Sequence, residues 1–367
     1  MGSRTAEAST ERAQNGVSKA ASLHDLDSAR FRLVGAGSAH SVYCHPDLPA
    51  QVIRVGHAER LSQLDVYLFP ELAHANSASE RSLLLTHSLL SHHRIFPAPA
   101  KFAECDAAPA SLQPKCGCCT DCLRMHDALD ASGSCGASYI VELKPKSGVL
   151  HREHTNGHLL SQFQRLQRMR FAHKSERARS LYDPAELFSF DFDRMVQTLL
   201  DGAKSSPRTN IQVWRSRRRL VGKKRTLQHE DEEEVSTVLR AFVQALLDLD
   251  ILQRLLHVQH CGDSLNPCSA KQVADALYHN EDSEGAHSLR DYLLSAIAKD
   301  ISIAITLHEQ DAATEWLKGE NRCCVYEGRS GRQFLCVAHT VDISFKPISK
   351  LEQWFCQEMQ LQAFENE

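Results

Sequence analysis

No stretch of the 367-residue chain is apolar for long enough to cross a bilayer as a helix, which takes about 20 residues. The N-terminus has no compact apolar segment of the kind a secretory signal needs, so export is not expected. Met1-Gly2 opens like a myristoylation site, but that motif wants Ser or Thr where Ala6 stands, so that anchor is not expected. Positive charge is not in excess, because the net charge is −4. A polyanion is therefore not attracted by the molecule as a whole and requires a local basic pocket. The chain has no internal repeat and no basic–aromatic stacking motif of a nucleic-acid module. These absences set the expectation of a monomer in the cytoplasm, the nucleus or both, with no membrane and no nucleic-acid partner.

Thirteen cysteines without an export signal are expected to be reduced thiols, some of them metal ligands. The length suffices for two lobes or domains. Residues 1–27 are rich in Ala, Ser, Glu and Arg without an apolar period and read as a disordered tail. Strands follow at Phe31–Val34, His40–Tyr43 and Gln51–Val55. Leucines at helical spacing mark a helix from Glu80 to Ile95, ended by Pro97 and Pro99. A Cys-rich loop spans Cys105–Cys135, and Tyr139–Lys144 returns as a strand. The chain then turns mostly helical. Leu159–Arg179 reads as a basic amphipathic helix or helix pair, and Pro184–Leu200 as a helix with proline in its first turn. Ile211–Trp214 and Arg219–Val221 read as a short hairpin. Glu233–Gln259 reads as one long helix with an acidic first turn. A loop holding Cys261 and Cys268 comes next, then a helix near Ser288–Ala298, strands around Ile301 and Val337, and a closing helix from Ser349. The fold class is α+β, with a small β-rich lobe at 28–150 and a larger, mostly helical lobe at 151–367.

The densest chemical signal is Val141-Glu142-Leu143-Lys144-Pro145-Lys146-Ser147-Gly148. In an extended chain Lys144 and Lys146 project to the same side. Two ammonium groups on one face repel unless a dense anion lies opposite, although a solvated strand end would carry the same pattern. Three further blocks accompany it in order: Tyr182-Asp183-Pro184-Ala185-Glu186-Leu187-Phe188-Ser189, Ala298-Lys299-Asp300-Ile301-Ser302-Ile303, and Val341-Asp342-Ile343-Ser344-Phe345-Lys346-Pro347. Together they resemble the inositol-pentakisphosphate 2-kinases, from about Phe31 to the C-terminal helix. The resemblance implies a two-lobed, kinase-like fold that uses ATP and Mg²⁺ to phosphorylate the 2-hydroxyl of inositol pentakisphosphate, giving inositol hexakisphosphate.

The same resemblance assigns roles. Asp300 would receive the hydroxyl proton, Lys144 would lie near the transferring phosphate, and Asp342 would hold Mg²⁺. Gly35, Gly37, Ser38 and Ala39 would cover the nucleotide, with His40 replacing the family's Asn. By themselves these glycines read first as a tight hairpin turn. Arg54 matches a nucleotide-contacting basic residue. Lys146, Arg168, Asn210, Lys346, Lys350 and Trp354 would grip substrate. Lys350 for Arg gives up bidentate geometry, and Trp354 for Tyr gives up a hydroxyl. Ala172 and Gln212 are further departures. These departures leave a second reading open, that of a non-catalytic, zinc-stapled scaffold or inositol-phosphate sensor on a degenerate kinase fold. A structural zinc in the family corresponds to His257, Cys261, Cys268 and His279 here, with His260 an alternative ligand, and two Cys with two His make a sensible set. The Cys116–Cys122 run, with thiols at knuckle spacing, is either a second zinc site or a Cys-rich insertion without metal. The basic run Arg215–Arg225 reads as a solvated hairpin or a nuclear-import patch.

Overall fold

A computed structural model describes residues 32–36, 40–44, 51–57, 62–70, 103–104, 120–126, 138–152, 159–173, 180–205, 210–215, 218–222, 225–279, 283–310, 322–341 and 346–366. The expected helix at 80–95 falls outside them. The molecule combines helices with two sizeable antiparallel sheets. The first sheet takes β1 (Arg32–Ala36), β2 (His40–Cys44), β3 (Gln51–His57), β4 (Ala103–Glu104) and β5 (Thr120–His126) in the order β1-β2-β3-β5-β4. Strand β5 lies inside the expected Cys-rich loop. Cys122 stands opposite Val55 in its ladder, so part of that segment is sheet and not loop.

The second sheet has β6 (Ser138–Leu143) beside strands from much later in the chain. After a small hairpin, β7 (Leu150–Arg152) with β8 (Leu159–Ser161), come β9 (Ile211–Arg215), β10 (Arg218–Val221), β11 (Ser302–Gln310), β12 (Arg322–Glu327) and β13 (Arg332–Val341). The order is β10-β9-β6-β11-β13-β12. Sheet was expected mainly in the first lobe, yet the larger sheet is built mostly from the second half. Its central strands are covered on both faces, so they read as near-continuous apolar runs without alternation. Tyr139, Ile140, Val141 and Leu143 on β6 are buried, as are Ile303, Ala304, Ile305 and Leu307 on β11. Helix α5 (Glu232–Asp248) packs on this sheet through Val235, Val238, Leu239, Phe242 and Leu246, the i, i+3, i+4, i+7 stripe of an amphipathic helix.

The other helices are α1 (Gln63–Leu68), α2 (Gln162–Ala172), α3 (Pro184–Leu187), α4 (Phe192–Ser205), α6 (Ile251–Cys261), α7 (Pro267–His279), α8 (Ser283–Ala298) and α9 (Lys350–Glu365). Two single helices read from the sequence are each broken in two. Asp250, at φ 54°, ends α5 and starts α6, and Phe190, at φ 57°, separates α3 from α4. Aspartate tolerates the left-handed region better than most residues, and neither break carries a Gly or Pro to announce it. Leu159–Arg179 begins as strand β8, and α2 starts only after Ser161, whose hydroxyl accepts from the Gln164 N–H while the Gln164 side chain returns to the Ser161 N–H. Cys261 ends α6 and Cys268 lies in the first turn of α7, so neither sits in a loop. Among the described residues no helix is long and apolar enough to cross a membrane.

Several basic side chains are paired within the fold. Arg165 is buried, and its guanidinium meets Glu365 at 2.6 and 2.9 Å and Glu358 at 3.2 Å, joining α2 to α9. In the Arg215–Arg225 run, Arg215 pairs with Glu234 at 3.1 Å, and Arg218 and Arg225 each reach the buried Asp231 at 2.9 Å. The Arg219 guanidinium lies 5.4 Å from the centre of the Trp214 ring.

Candidate active site

Antiparallel pairing sets Leu143, the last residue of β6, against Ile303 near the start of β11. The segment leaving β6 (residues 144–149) and the turn entering β11 (residues 299–301) therefore emerge at one end of the sheet. Both lysines of the first block and Asp300 of the third meet there. The Lys146 ammonium lies 3.1 Å from Asp300 Oδ1, and the Lys346 ammonium lies 2.7 Å from Oδ2. The Asp300 side chain is 43% exposed, against 26% for Lys146 and 20% for Lys346, so the trio opens to solvent through the carboxylate. Burial pushes the Asp300 pKa up, but the charges of Lys146 and Lys346, the hydrogen bond from Lys346 and the charge of Lys144 outweigh it and hold it at about 2. Burial pulls the neighbouring Lys299 below the ordinary lysine range.

Each of these segments is pinned. The Lys144 N–H donates to the Asn210 carbonyl at 2.8 Å as β9 begins. The hydroxyl of the fully buried Tyr182 donates to the Pro145 carbonyl at 2.8 Å. Lys146 adopts a left-handed backbone at φ 65°. The Gly148 N–H donates to Gln259 Oε1 at 2.9 Å. Gly148 has no room for a side chain, because a Cβ there would sit 2.5 Å from ring carbons of Phe188. On the Lys346 side, the Ile348 N–H donates to Asp65 Oδ1 at 2.9 Å. The other oxygen of Asp65 caps α1, accepting from the Ser62 N–H at 2.8 Å and the Ser62 hydroxyl at 2.7 Å. Asp300 follows the last turn of α8, its N–H donating to the Ile297 carbonyl at 3.0 Å.

The remaining expected site residues are distributed as follows. Arg168 is half-buried on α2. Lys350 begins α9, its N–H donating to the Pro347 carbonyl at 2.9 Å. Trp354, one turn on, packs edge-on against Tyr292 of α8, with ring centres 6.1 Å apart. Gln212 donates to Glu142 across the β6–β9 ladder at 3.1 Å. Gly35 lies on β1, where the β1–β2 register shifts between Leu33 and Gly35, and Arg54 lies on β3. Gly37, Ser38, Ala39 and Asp342 lie outside the described residues.

The structure places the four residues expected to hold zinc on α6 and α7. His257 and Cys261, one turn apart on α6, are 3.9 Å apart, while Cys268 and His279 sit at opposite ends of α7. Among the described residues no three His, Cys, Asp or Glu side chains surround a common point. The four residues fall on two separate helices, and His257 and His279 are exposed.

Sequence reasoning missed Gln259, Asp65 and Phe188 as supports of the site. Gln259 did leave a signal. It stands seven residues after Leu252 and four after Leu255, which puts a polar side chain on the apolar stripe of α6.

A carboxylate is thus clasped by ammonium groups from separate blocks of chain at the shared end of two neighbouring strands. The profile of the inositol-pentakisphosphate 2-kinases matches residues 34–360, and the chain belongs to that family. It is 23% identical over 290 residues to the inositol-pentakisphosphate 2-kinase of Arabidopsis thaliana. That match covers 66% of this chain and 63% of the relative's length.

Proposed function

We propose that the protein transfers the terminal phosphate of ATP to the 2-hydroxyl of inositol pentakisphosphate, giving inositol hexakisphosphate. The observation that carries this reading is the convergence of Lys146 and Lys346 on Asp300 from two blocks 200 positions apart. In phosphoryl transfer the protein positions the partners, neutralises phosphate charge and receives the hydroxyl proton. Asp300 is ionised at neutral pH and available as acceptor, and its low pKa makes it a weak base while both lysines hold it. Substrate phosphates compete for those same ammonium groups. As they engage Lys146 and Lys346, the carboxylate loses the charges that hold its pKa down, and its basicity rises when the hydroxyl is in place. Lys144, whose charge also reaches Asp300, would neutralise the transferring phosphate. Arg168, Asn210, Lys350 and Trp354 would complete the grip on substrate.

The donor set around Asp300 suits an anion better than a metal ion, since both carboxylate oxygens are engaged by ammonium groups. By the family resemblance Mg²⁺ would be held by Asp342, and it would supply charge neutralisation on the nucleotide phosphates. The nucleotide itself would lie against the first sheet, near Gly35, Gly37, Ser38, Ala39 and Arg54. Two separate sheets support a two-lobed reading in which the five-stranded one belongs to the nucleotide lobe.

Incubating the protein with Mg-ATP and inositol pentakisphosphate and resolving products by anion exchange tests the proposal. Inositol hexakisphosphate should accumulate, and Asp300→Asn should lower turnover by about 10²–10⁴-fold, the usual range for a general base. Tight binding of inositol phosphate without turnover would overturn the catalytic reading in favour of a sensor.

A further inference from the structure

We propose that Gln259 is a positioning residue whose side-chain amide fixes the backbone that presents Lys146 to Asp300. The inference deepens the kinase reading and rests on it for its catalytic meaning. Gln259 is completely buried on α6. Its Oε1 accepts from the Gly148 N–H at 2.9 Å, and its Nε2 donates to the Lys146 carbonyl at 3.0 Å and points to the Ala298 carbonyl at 3.5 Å. One amide thus spans the lysine segment and the last turn of α8, two residues ahead of Asp300. A side-chain amide has one acceptor oxygen and two N–H donors, and all three face these groups.

The Lys146 carbonyl and the Gly148 N–H are the pair that a neighbouring strand would take in a ladder. Gln259 stands in for that strand just past the end of β6, where the chain leaves the sheet. The substitution matters because Lys146 is at φ 65°. A side-chain-bearing residue holds that conformation only where its surroundings over-determine it. Gln259 grips the Lys146 carbonyl on one side, and Tyr182 grips the Pro145 carbonyl on the other. The backbone of Gln259 is tied in turn, since Ser295 of α8 donates its hydroxyl to the Gln259 carbonyl at 2.8 Å. Lysine segment, α6 and the Asp300 turn therefore form one unit, in which the Lys146–Asp300 spacing follows from the amide.

The test is the titration of Asp300 in the full chain, labelled with ¹³C at the aspartate carboxyls and assigned with Asp300→Asn. Gln259→Met keeps length and unbranched shape but can form none of the three contacts. If Gln259 sets the spacing, Lys146 drifts from the carboxylate, and the Asp300 midpoint rises from about 2 by about one unit, the lower end of the effect of a neighbouring opposite charge. A folded Gln259→Met protein with an unmoved midpoint overturns the proposal and leaves Gln259 an ordinary core amide, whatever happens to its melting temperature. Should that variant not fold, hydrogen exchange on the unmodified protein decides. The Gly148 amide should be as protected as the centre of α6, and exchange at the rate of an exposed turn overturns the proposal. Wild-type turnover is measured separately. Its absence removes the kinase reading while the titration still reports on Gln259, and its presence should be accompanied by a loss in kcat of up to about 10²-fold in Gln259→Met.

Discussion

Replacing Gly148 by alanine puts a methyl group 2.5 Å from Cγ and Cδ2 of Phe188 and 2.9 Å from Cδ1. Unstrained carbon–carbon contacts lie at about 3.5–4.0 Å, so ring and loop must separate by about 1 Å. Neither side gives easily. Phe188 is buried in the main core behind Leu187, and the Gly148 N–H is tethered to Gln259. Overpacking of this kind costs roughly 1–3 kcal/mol. A loss of about 2 kcal/mol lowers the melting temperature by roughly 4–8 °C in a domain of 150–250 residues, and somewhat less in a longer chain. A double-mutant cycle isolates the clash. Phe188→Ala alone should cost roughly 3–5 kcal/mol through its cavity, and that cavity accepts the new methyl. The double variant should therefore be more stable than the sum of the singles by about 1–3 kcal/mol, within the range measured for contacting residues. Urea unfolding of the four proteins gives the coupling directly. Additivity within about 0.5 kcal/mol would refute the close approach and with it the packing that seats Lys146.

The folded midpoint of Asp300, about 2, lies below its ordinary 3.8. Its ion pairs therefore add stability that is full above about pH 4 and is lost as the pH falls through 2, so wild type should lose stability more steeply than Asp300→Asn in that window, and parallel curves would dismiss the pairing. Lys346→Ala should raise the Asp300 midpoint and weaken inositol-phosphate binding far more than ATP binding, whereas equal losses for both ligands would point to a folding defect. Arg165→Met leaves Glu358 and Glu365, 10% and 5% exposed, without their cation, and should destabilise by about 3–5 kcal/mol as broken buried pairs do. A melting temperature within about 2 °C of wild type would show that the cluster is wetter than its geometry implies.

Much of the site was legible because its chemistry sits in short blocks with fixed order. Lys144, Lys146, Asp300 and Lys346 were named from such blocks, and the last three meet within hydrogen-bond distance. The apolar run at 139–143 signalled a central strand, and the acids at Glu232, Glu233 and Glu234 signalled the start of α5. The break at Asp250 was invisible, because a left-handed aspartate looks in sequence like any polar helix residue. Strand β12 escaped notice because Arg322–Glu327 is a short run bounded by charge, with no period-2 alternation of apolar and polar residues. The zinc set came from the family resemblance; the structure places its four residues on helices α6 and α7, and no group of three metal-ligating side chains is found among the described residues.

Strand β6 has one neighbour encoded about 70 residues later and the other about 160 residues later. During synthesis its β9 side is filled first, and the edge that will receive β11 then waits through nearly 90 further residues, on the order of ten seconds at ribosomal speed. An uncovered apolar edge is a template for pairing with other chains, so this interval is when the nascent protein most needs a chaperone. The same delay withholds Asp300 from the lysines of the first block. A product cut short between β9 and the Asp300 turn carries Lys146 without Asp300, beside an open strand. Genetic truncations in that stretch should therefore yield insoluble protein and not a weakened enzyme.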